Sequence, residues 1–492
     1  MKKPCLHKSC PGPLAGDTAL DRAGAAIRGA GGGALRTLGA FARDTSGAIA
    51  IMVVLLVPVL FGFLGIAVDV GLWYAQKRAL QTAADAAAIS GAVELANNNT
   101  DAGAETAAVN DATRNGFDPA DGSLITVNIP PATGPNAGNA GSVEVIITRP
   151  MQLLFSQVFH FIRGEQFATT AQVRAVANTV VQDEFCMVAL DPTAQRAIDV
   201  SGQAEVELDN CGLGVNSNAD NAVNVVGNGS IEADSLGVVG DINIQGGGDI
   251  ETDTLPQTNT RPIVDALADL DIPTPPPCAS GTINGLPFDT NVTPLVLDGS
   301  FGGTVTLPPG NYCGGLTVTG NNTDVELVGG GAEYFITDGD LKLRQRGRID
   351  GEQDGGNVIF LTENPGGSVG SLSIRQGSEL ETEAPTSGDY EGISIFQDRN
   401  APSGGNNRNE VHKSGSGGPS SELEVDGILY FPSQELLIFG DAEIEVDPNS
   451  DSCPRVIALR ISLQGKAEIE IDCDSGSVNT AAFGRRVARL GE

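Results

Sequence analysis

A short unit repeated eight times between residues 198 and 472 constrains the fold of this chain more than any other feature. Each copy has alternating apolar residues, a turn that usually contains glycine, and a second alternating apolar run flanked by acids. Three of the seven separations between successive copies are 25 residues. The copies begin at Ile198, Val223, Ile242, Leu316, Leu341, Leu372, Leu436 and Ile461.

This period is the size of one coil of a parallel β-helix, in which the inward Val, Ile and Leu side chains of each coil stack on the next. The alternation sends the intervening polar residues outward. Gly202, Gly227 and Gly246 then stand at corners that require positive φ or close backbone approach. The alternative architecture is a twisted β-sandwich. The long polar segments Thr252 to Pro277 and Asn400 to Ser421 are predicted to be excursions or disordered loops.

A charge-free run from Ala48 to Val68 precedes the repeats. Its 21 residues would form about 31 Å of helix, enough to cross a bilayer core of roughly 30 Å. Residues 1–47 hold seven of the 29 Lys and Arg residues, which predicts a cytoplasmic N-terminus and an outside location for everything after Asp69. The alternative is a cleaved signal peptide, whose apolar core is usually shorter, about 7 to 15 residues.

Strong helix formers continue the apolar helix outward as a stalk. Small residues recur every fourth position along it, a pattern that lets two helices approach closely. This stripe predicts packing against a partner helix or in a homo-oligomer, and the alternative is a chance result of the Ala-rich composition. Its members are Ala67, Gly71, Ala75, Ala79, Ala83, Ala87 and Gly91.

The order of Gly47, apolar helix, Asp69, aromatic pair Trp73–Tyr74 and the LQTAADAAA run at 80–88 resembles the N-terminal module of TadG-like proteins of the Flp pilus (tight-adherence) assembly system. The resemblance implies an inner-membrane accessory protein of pilus assembly or surface attachment. Its implied partners are the inner membrane and pilus-assembly or other envelope proteins. Much of the repeat region also resembles the C-terminal halves of many proteins with this module.

The predicted fold class is mainly β: a single N-terminal transmembrane helix with a helical stalk, a small α+β module, and a parallel β-helix-like repeat domain. The corresponding divisions are a disordered cytoplasmic tail (1–46), the helix and stalk (47–97), the module (98–183), the repeat domain (184–480) and a C-terminal tail (481–492). Within the module, the pattern predicts helices near 104–114 and 151–161 and strands near 124–129, 143–148 and 167–176.

Six cysteines follow the membrane segment, in near-neighbour pairs separated by 25, 35 and 20 residues. Their spacing does not match zinc knuckles. The favoured interpretation is three disulfides, against free buried thiols, although six cysteines allow about fifteen connectivities. The favoured pairs are Cys186–Cys211, Cys278–Cys313 and Cys453–Cys473.

The charge and the scarcity of catalytic residue types favour an interaction protein over an enzyme. A formal net charge of −33 argues against a nucleic-acid partner. The three histidines are isolated, and no cofactor or metal site is predicted. The alternatives are a glycan-binding surface adhesin and a β-helix carbohydrate-active enzyme with paired carboxylates. The acids that could stack in outward ladders recur with the repeat, which is typical of solvated faces: Glu205, Glu207, Glu232, Glu251, Glu443, Glu445, Glu468 and Glu470.

Overall fold

The computed structural model describes residues 46–97, 100–151, 153–155, 169–321, 323–413, 419–446, 453–473 and 484–491. The chain divides into two compact units, with boundaries after residues 76, 150 and 170. The smaller unit contains the first part of a long helix and residues 153–155, and the larger unit contains nearly all of the β structure. The chain is mainly β, as the sequence predicts.

The described residues form two α-helices, α1 (Ser46–Ala96) and α2 (Asp101–Arg114), and 30 strands. The strands are β1 (Leu124–Asn128), β2 (Ser142–Met151), β3 (Thr169–Ala189), β4 (Ile198–Gly202), β5 (Glu205–Val215), β6 (Val223–Gly227), β7 (Ser230–Val238), β8 (Ile242–Gly246), β9 (Asp249–Thr252), β10 (Ser280–Ile283), β11 (Leu286–Asp289), β12 (Leu295–Leu297), β13 (Thr304–Leu307), β14 (Gly310–Cys313), β15 (Leu316–Thr319), β16 (Asp324–Leu327), β17 (Ala332–Thr337), β18 (Leu341–Arg344), β19 (Arg348–Gly351), β20 (Asn357–Thr362), β21 (Leu372–Arg375), β22 (Glu379–Glu383), β23 (Ile393–Gln397), β24 (Arg408–His412), β25 (Ser421–Asp426), β26 (Ile428–Gly440), β27 (Ala442–Val446), β28 (Arg455–Gly465), β29 (Glu468–Asp472) and β30 (Gly484–Leu490).

Helix α1 continues without a break from the apolar run into the stalk, with Pro58 inside it. In the larger unit, its last turns pack into a small α+β module with α2 and the strands β1, β2, β3 and β30. Leu80, Ala84 and Ala88 of α1 are fully buried there. Helix α2 begins at Thr100, whose side-chain oxygen accepts a hydrogen bond from the Gly103 N–H and so caps the helix.

Two predictions outside the repeat domain differ from the structure. Residues 481–492 were expected to be a tail, but β30 pairs antiparallel with β3 through Ala177–Leu490 to Glu184–Gly484. A helix was expected near 151–161, but Met151 ends β2 and residues 153–155 are not helical. Residues 152 and 156–161 lie outside the described part. The two strands expected near 124–129 and 143–148 are β1 and β2, paired antiparallel.

The repeat region is a β-helix of three parallel faces. Each copy of the repeat supplies one strand of face 1 and the next strand of face 2. Face 1 stacks β12, β15, β18, β21, β24, the second halves of β26 and β28, then β4, β6 and β8. Face 2 stacks β13, β16, β19, β22, β25, β27, β29, the first halves of β5 and β7, and β9. Face 3 stacks β14, β17, β20, β23, the first halves of β26 and β28, the end of β3, and the second halves of β5 and β7.

The stacking order is a circular permutation of the chain order. Strands β3 to β9 form the last three coils, and the coil containing β28 and β29 stacks directly on the coil that contains β4 and β5. The chain therefore leaves the far end of the stack after β9 and must return to the opposite end before β12. The ten strands described for face 1 imply a return distance of about 43 Å at ~4.8 Å per strand.

Residues 253–277, which we call the strap, make this return. The strap lies in a segment that was expected to be an excursion or a disordered loop. It is an excursion from the coils, and its Ile263 and Leu267, 8% and 6% exposed, pack on the outside of face 3. The outward apolar side chains of that face provide the surface, and they include Phe335, Phe360 and Phe396. The segment from Asn400 to Ser421 was also expected to be an excursion or a disordered loop, but its described residues include β24 of face 1.

Glycines form the predicted corners between faces 1 and 2. Gly202, Gly227 and Gly246 have φ values of +89°, +81° and +76°. A Cβ on Gly202 would lie 2.8 Å from the carbonyl oxygen of Gly465 on the neighbouring coil. The corners therefore require glycine both for the left-handed backbone and for the close approach of successive coils.

Candidate functional surfaces

The first half of α1 presents an apolar surface outward. Its large apolar side chains from Ile49 to Val70 are between 38% and 69% exposed. Among the described residues, the segment Ile49–Ala96 contains the one helix that is long and apolar enough to cross a membrane. An exposed apolar helix of this length is unfavourable in water, so it indicates a membrane anchor.

The stripe of small residues is divided by the fold. Ala67, Gly71, Ala75 and Ala79 are exposed. Ala83, Ala87 and Gly91 were also predicted to face a partner, but they are buried in the chain's own α+β module, where a Cβ on Gly91 would lie 2.9 Å from Val143. Small side chains allow close approach to any neighbouring surface, and here the neighbour of the last three lies in the same chain.

Face 2 carries two columns of carboxylates. One column contains Asp324, Glu379, Glu422, Glu443, Glu468, Glu205 and Asp249, with Arg348 and Ser230 among them. The second column contains Glu326, Asp350, Glu381, Glu424, Glu445, Glu470, Glu207, Glu232 and Glu251, one acid on each of nine successive coils. All eight glutamates expected to form ladders lie in these columns.

Burial and mutual repulsion make Glu207 and Glu443 of these columns harder to ionise. The pKa of Glu207 is raised first by burial and then by the charges of Glu205, Glu470 and other neighbours. The pKa of Glu443 is raised by burial and by Glu468 and Glu422 for the same reason. The columns can attract cations and basic surfaces and repel polyanions. Carboxylates recur on successive coils, as on a solvated face, so the columns do not single out an acid–base pair.

Arg348 interrupts the first column. Its guanidinium pairs with the Glu381 carboxylate, and its Nε lies 3.6 Å from Glu379 Oε2. Glu379 nevertheless has its pKa raised to about 7, first by burial and then by its hydrogen bond with Glu381 and the charges of Glu381 and Glu422. The single cation is thus shared between two carboxylates and does not compensate both.

The six cysteines that follow the apolar run form three disulfides, in the pairs favoured from the sequence. Cys186–Cys211, Cys278–Cys313 and Cys453–Cys473 have Cα–Cα distances of 5.7, 5.5 and 4.7 Å. Within the described residues, one group has the spacing of metal ligands, namely Glu184 with Cys453 and Cys473. Both of its sulfurs are in a disulfide, and its carboxylate pairs with Arg455, so these residues do not fit a metal ion.

A polar cluster that sequence reasoning missed fastens the strap to face 3. Arg399 donates to the carbonyl oxygens of Leu267 and Leu270 and, at 2.9 Å, to the Tyr430 hydroxyl. That hydroxyl donates to Asp265 at 2.6 Å. The hydrogen-bonded partners are 31 to 165 positions apart in sequence, so no local motif could reveal them.

His412, an isolated histidine in the sequence, lies on face 1. Its ring packs edge-on against Phe439 with 4.8 Å between centroids. Burial lowers its pKa, and Arg375 lowers it further. The aromatic contact makes His412 a packing residue, so this geometry does not indicate a catalytic role.

These features define a membrane-anchored β-helix protein. Residues 47–94 match the family described as "Putative Flp pilus-assembly TadE/G-like". The chain therefore carries a TadE/G-like module on α1, and the match does not extend to the β-helix. Comparisons with curated proteins and with solved structures gave no match.

Proposed function

We propose that this protein is a non-catalytic, membrane-anchored accessory or scaffold protein of Flp/Tad-type pilus assembly and surface attachment. The observation that carries the proposal is the TadE/G-like match on residues 47–94, which coincides with the exposed apolar helix α1. On this proposal the chain crosses the inner membrane once, and its partners are envelope proteins rather than nucleic acid.

The proposed topology places the N-terminus in the cytoplasm and the β-helix in the periplasm. The concentration of Lys and Arg within residues 1–47 supports this orientation. The three disulfides support it as well, because such bonds persist in an oxidising compartment such as the periplasm.

Helix packing through α1 is the proposed mode of assembly. The exposed small residues Gly71, Ala75 and Ala79 lie beyond the apolar run and would allow a second helix to approach closely. The buried members of the original stripe are excluded from this role because the α+β module covers them. The partner helix belongs either to another envelope protein or to a second copy.

The proposal is tested by crosslinking full-length protein in its native cells, followed by detergent solubilisation and capture. We expect pilus-assembly membrane proteins to be recovered, and recovery to fall at least several-fold for the double variant Ala75→Leu/Ala79→Leu. The matched control is Val70→Leu, also exposed and turned about 140° from Ala75. Equal recovery from all three proteins would refute the helix-packing mode, and recovery of no pilus-assembly protein would refute the proposed function.

A further inference from the structure

In the smaller unit, a short apolar segment lies against the outer end of the membrane helix. Leu154 and Phe155 are 63% and 47% exposed. A Cβ placed on Gly65 of α1 would lie 3.0 Å from Phe155 Cβ and Cγ, so the phenylalanine occupies the space that glycine leaves open. Gly65 is within the charge-free run, about 6 Å toward the membrane from Asp69.

Asp69 fixes the segment to the helix. The residue is 6% exposed, and its carboxylate accepts hydrogen bonds from the backbone N–H of Leu154 at 2.9 Å and from that of Phe155 at 3.0 and 3.1 Å. A carboxylate directly after the apolar run would be costly without partners. Here two amide donors satisfy it and, at the same time, hold the segment at the depth of the last apolar turn.

We propose that Leu153–Phe155 is a second membrane-contacting element, inserted among the acyl chains at the outer boundary of the bilayer, and that Asp69 is its positioning residue. The exposed neighbours on α1 at the same level are Leu64 and Val68, 59% and 45% exposed, and these face lipid if the helix spans the membrane. Continuity with that surface identifies the occupant as lipid. The inference rests on the membrane anchor but not on any role in pilus assembly.

The segment thereby adds a second contact between the chain and the bilayer. A single helix can rotate and tilt freely in lipid, whereas an apolar element fixed on one side of it makes one rotation more favourable. Gly65 and Asp69 lie one helical turn apart on the same side of α1. That side would therefore be covered by the segment.

Tryptophan fluorescence of the full-length protein in phosphatidylcholine vesicles tests this inference. Trp73 is the only tryptophan, so Trp73→Phe provides a dark background. Phe155→Trp should be quenched by lipids brominated near the headgroup end of the chain and should be several-fold less accessible to aqueous acrylamide than Leu124→Trp. Leu124 is the matched exposed control in the larger unit, at 69%. Leu60→Trp, in the middle of the apolar run, reports separately whether α1 is inserted.

The outcomes separate the inference from the anchor. One outcome would overturn the inference and leave the anchor intact: brominated lipid quenches Leu60→Trp, but acrylamide quenches Phe155→Trp as readily as Leu124→Trp. If Leu60→Trp is not quenched by brominated lipid, both are overturned.

Two glycines of α1 provide a matched pair of packing variants. Gly65→Leu fills the space of Phe155, whereas Gly62 has no atom within 4 Å of an added Cβ. In the Phe155→Trp background, Gly65→Leu should shift quenching from brominated lipid to acrylamide, and Gly62→Leu should not. Asp69→Ala should have the same effect as Gly65→Leu, with Asp69→Asn, which keeps one acceptor oxygen, restoring part of the lipid quenching. An unchanged signal in both Gly65→Leu and Asp69→Ala would refute the positioning role.

Discussion

Replacing Glu379 with glutamine should stabilise the β-helix at alkaline pH. Glu379 lies on face 2 beside Glu381 and Glu422, and Arg348 is its nearest cation at 3.6 Å. Burial and these acids raise its pKa to about 7. Glutamine keeps a donor for the Glu381 carboxylate and removes the charge that the site disfavours.

The magnitude follows from the pKa. A rise from 4.5 to about 7 corresponds to about 3.4 kcal/mol if the carboxylate is fully desolvated. The Glu379 side chain is 32% exposed, so screening by water reduces the expected effect to about 1–2 kcal/mol. Because the folded state binds the Glu379 proton more tightly than the unfolded state does, this protonation stabilises the fold. Its contribution is present in full below pH ~4.5 and is lost as pH rises through ~7. Glu379→Gln should therefore gain this amount at pH 8 and almost nothing at pH 4.5.

The difference in unfolding free energy between Glu379→Gln and the wild type is measured by guanidinium unfolding at both pH values. The full-length protein is unfolded in detergent with its disulfides intact, and far-ultraviolet circular dichroism follows the transition. The matched control is Glu251→Gln, the same change on the last coil of face 2. A gain at pH 8 that persists unchanged at pH 4.5, or a loss at pH 8, would show that ionisation of Glu379 is not what the fold opposes.

Three further predictions concern the β-helix. Gly202→Ala should lower the free energy of unfolding by about 2–4 kcal/mol, because it adds a positive-φ penalty to a clash with the neighbouring coil. Gly285→Ala, with φ +83° and open space around it, should show the backbone penalty alone in the same unfolding assay. Tyr430→Phe should lower stability by about 1–3 kcal/mol and speed hydrogen exchange in residues 261–272, and unchanged exchange there would contradict the assigned role of the hydroxyl. Cys278→Ser/Cys313→Ser opens a loop of 35 residues and should cost up to about 4 kcal/mol by denaturant unfolding; no loss would mean that the strap fixes this coil without the bond.

The sequence predicts the coil but not the order of the coils. Each of the eight repeat copies has its strands on faces 1 and 2, because alternation and corner glycines are local signals. The coils of β12–β13 and β24–β25 were missed because residues 298–303 and 413–420 interrupt the unit. Every coil presents the same apolar interior, so the pattern does not encode which coil stacks on which.

The candidate surfaces show the same limit. A coil returns the chain close to its starting point after about 25 residues, so near-neighbour cysteines could be paired from the sequence. The stripe on α1 could not be divided into exposed and buried halves, because an alanine column fits a partner helix and an internal module equally well. The Arg399 cluster depends on the strap crossing face 3, which only the stacking order determines.

The three disulfides lie at the places where neighbouring parts of the stack are not neighbours in the sequence. At the junction between the coils, Ile461 pairs with Ile198 across more than 250 residues, so closing this contact carries a large loop-entropy cost. Cys453–Cys473 and Cys186–Cys211 close the two coils that meet there, and Cys278–Cys313 fixes the end of the strap to face 3. Each bond is local in sequence, so it can form before the distant coils meet and present a preformed edge to the incoming coil. On this argument the disulfides stabilise the interior of the stack less than the two places where the chain order and the stacking order differ.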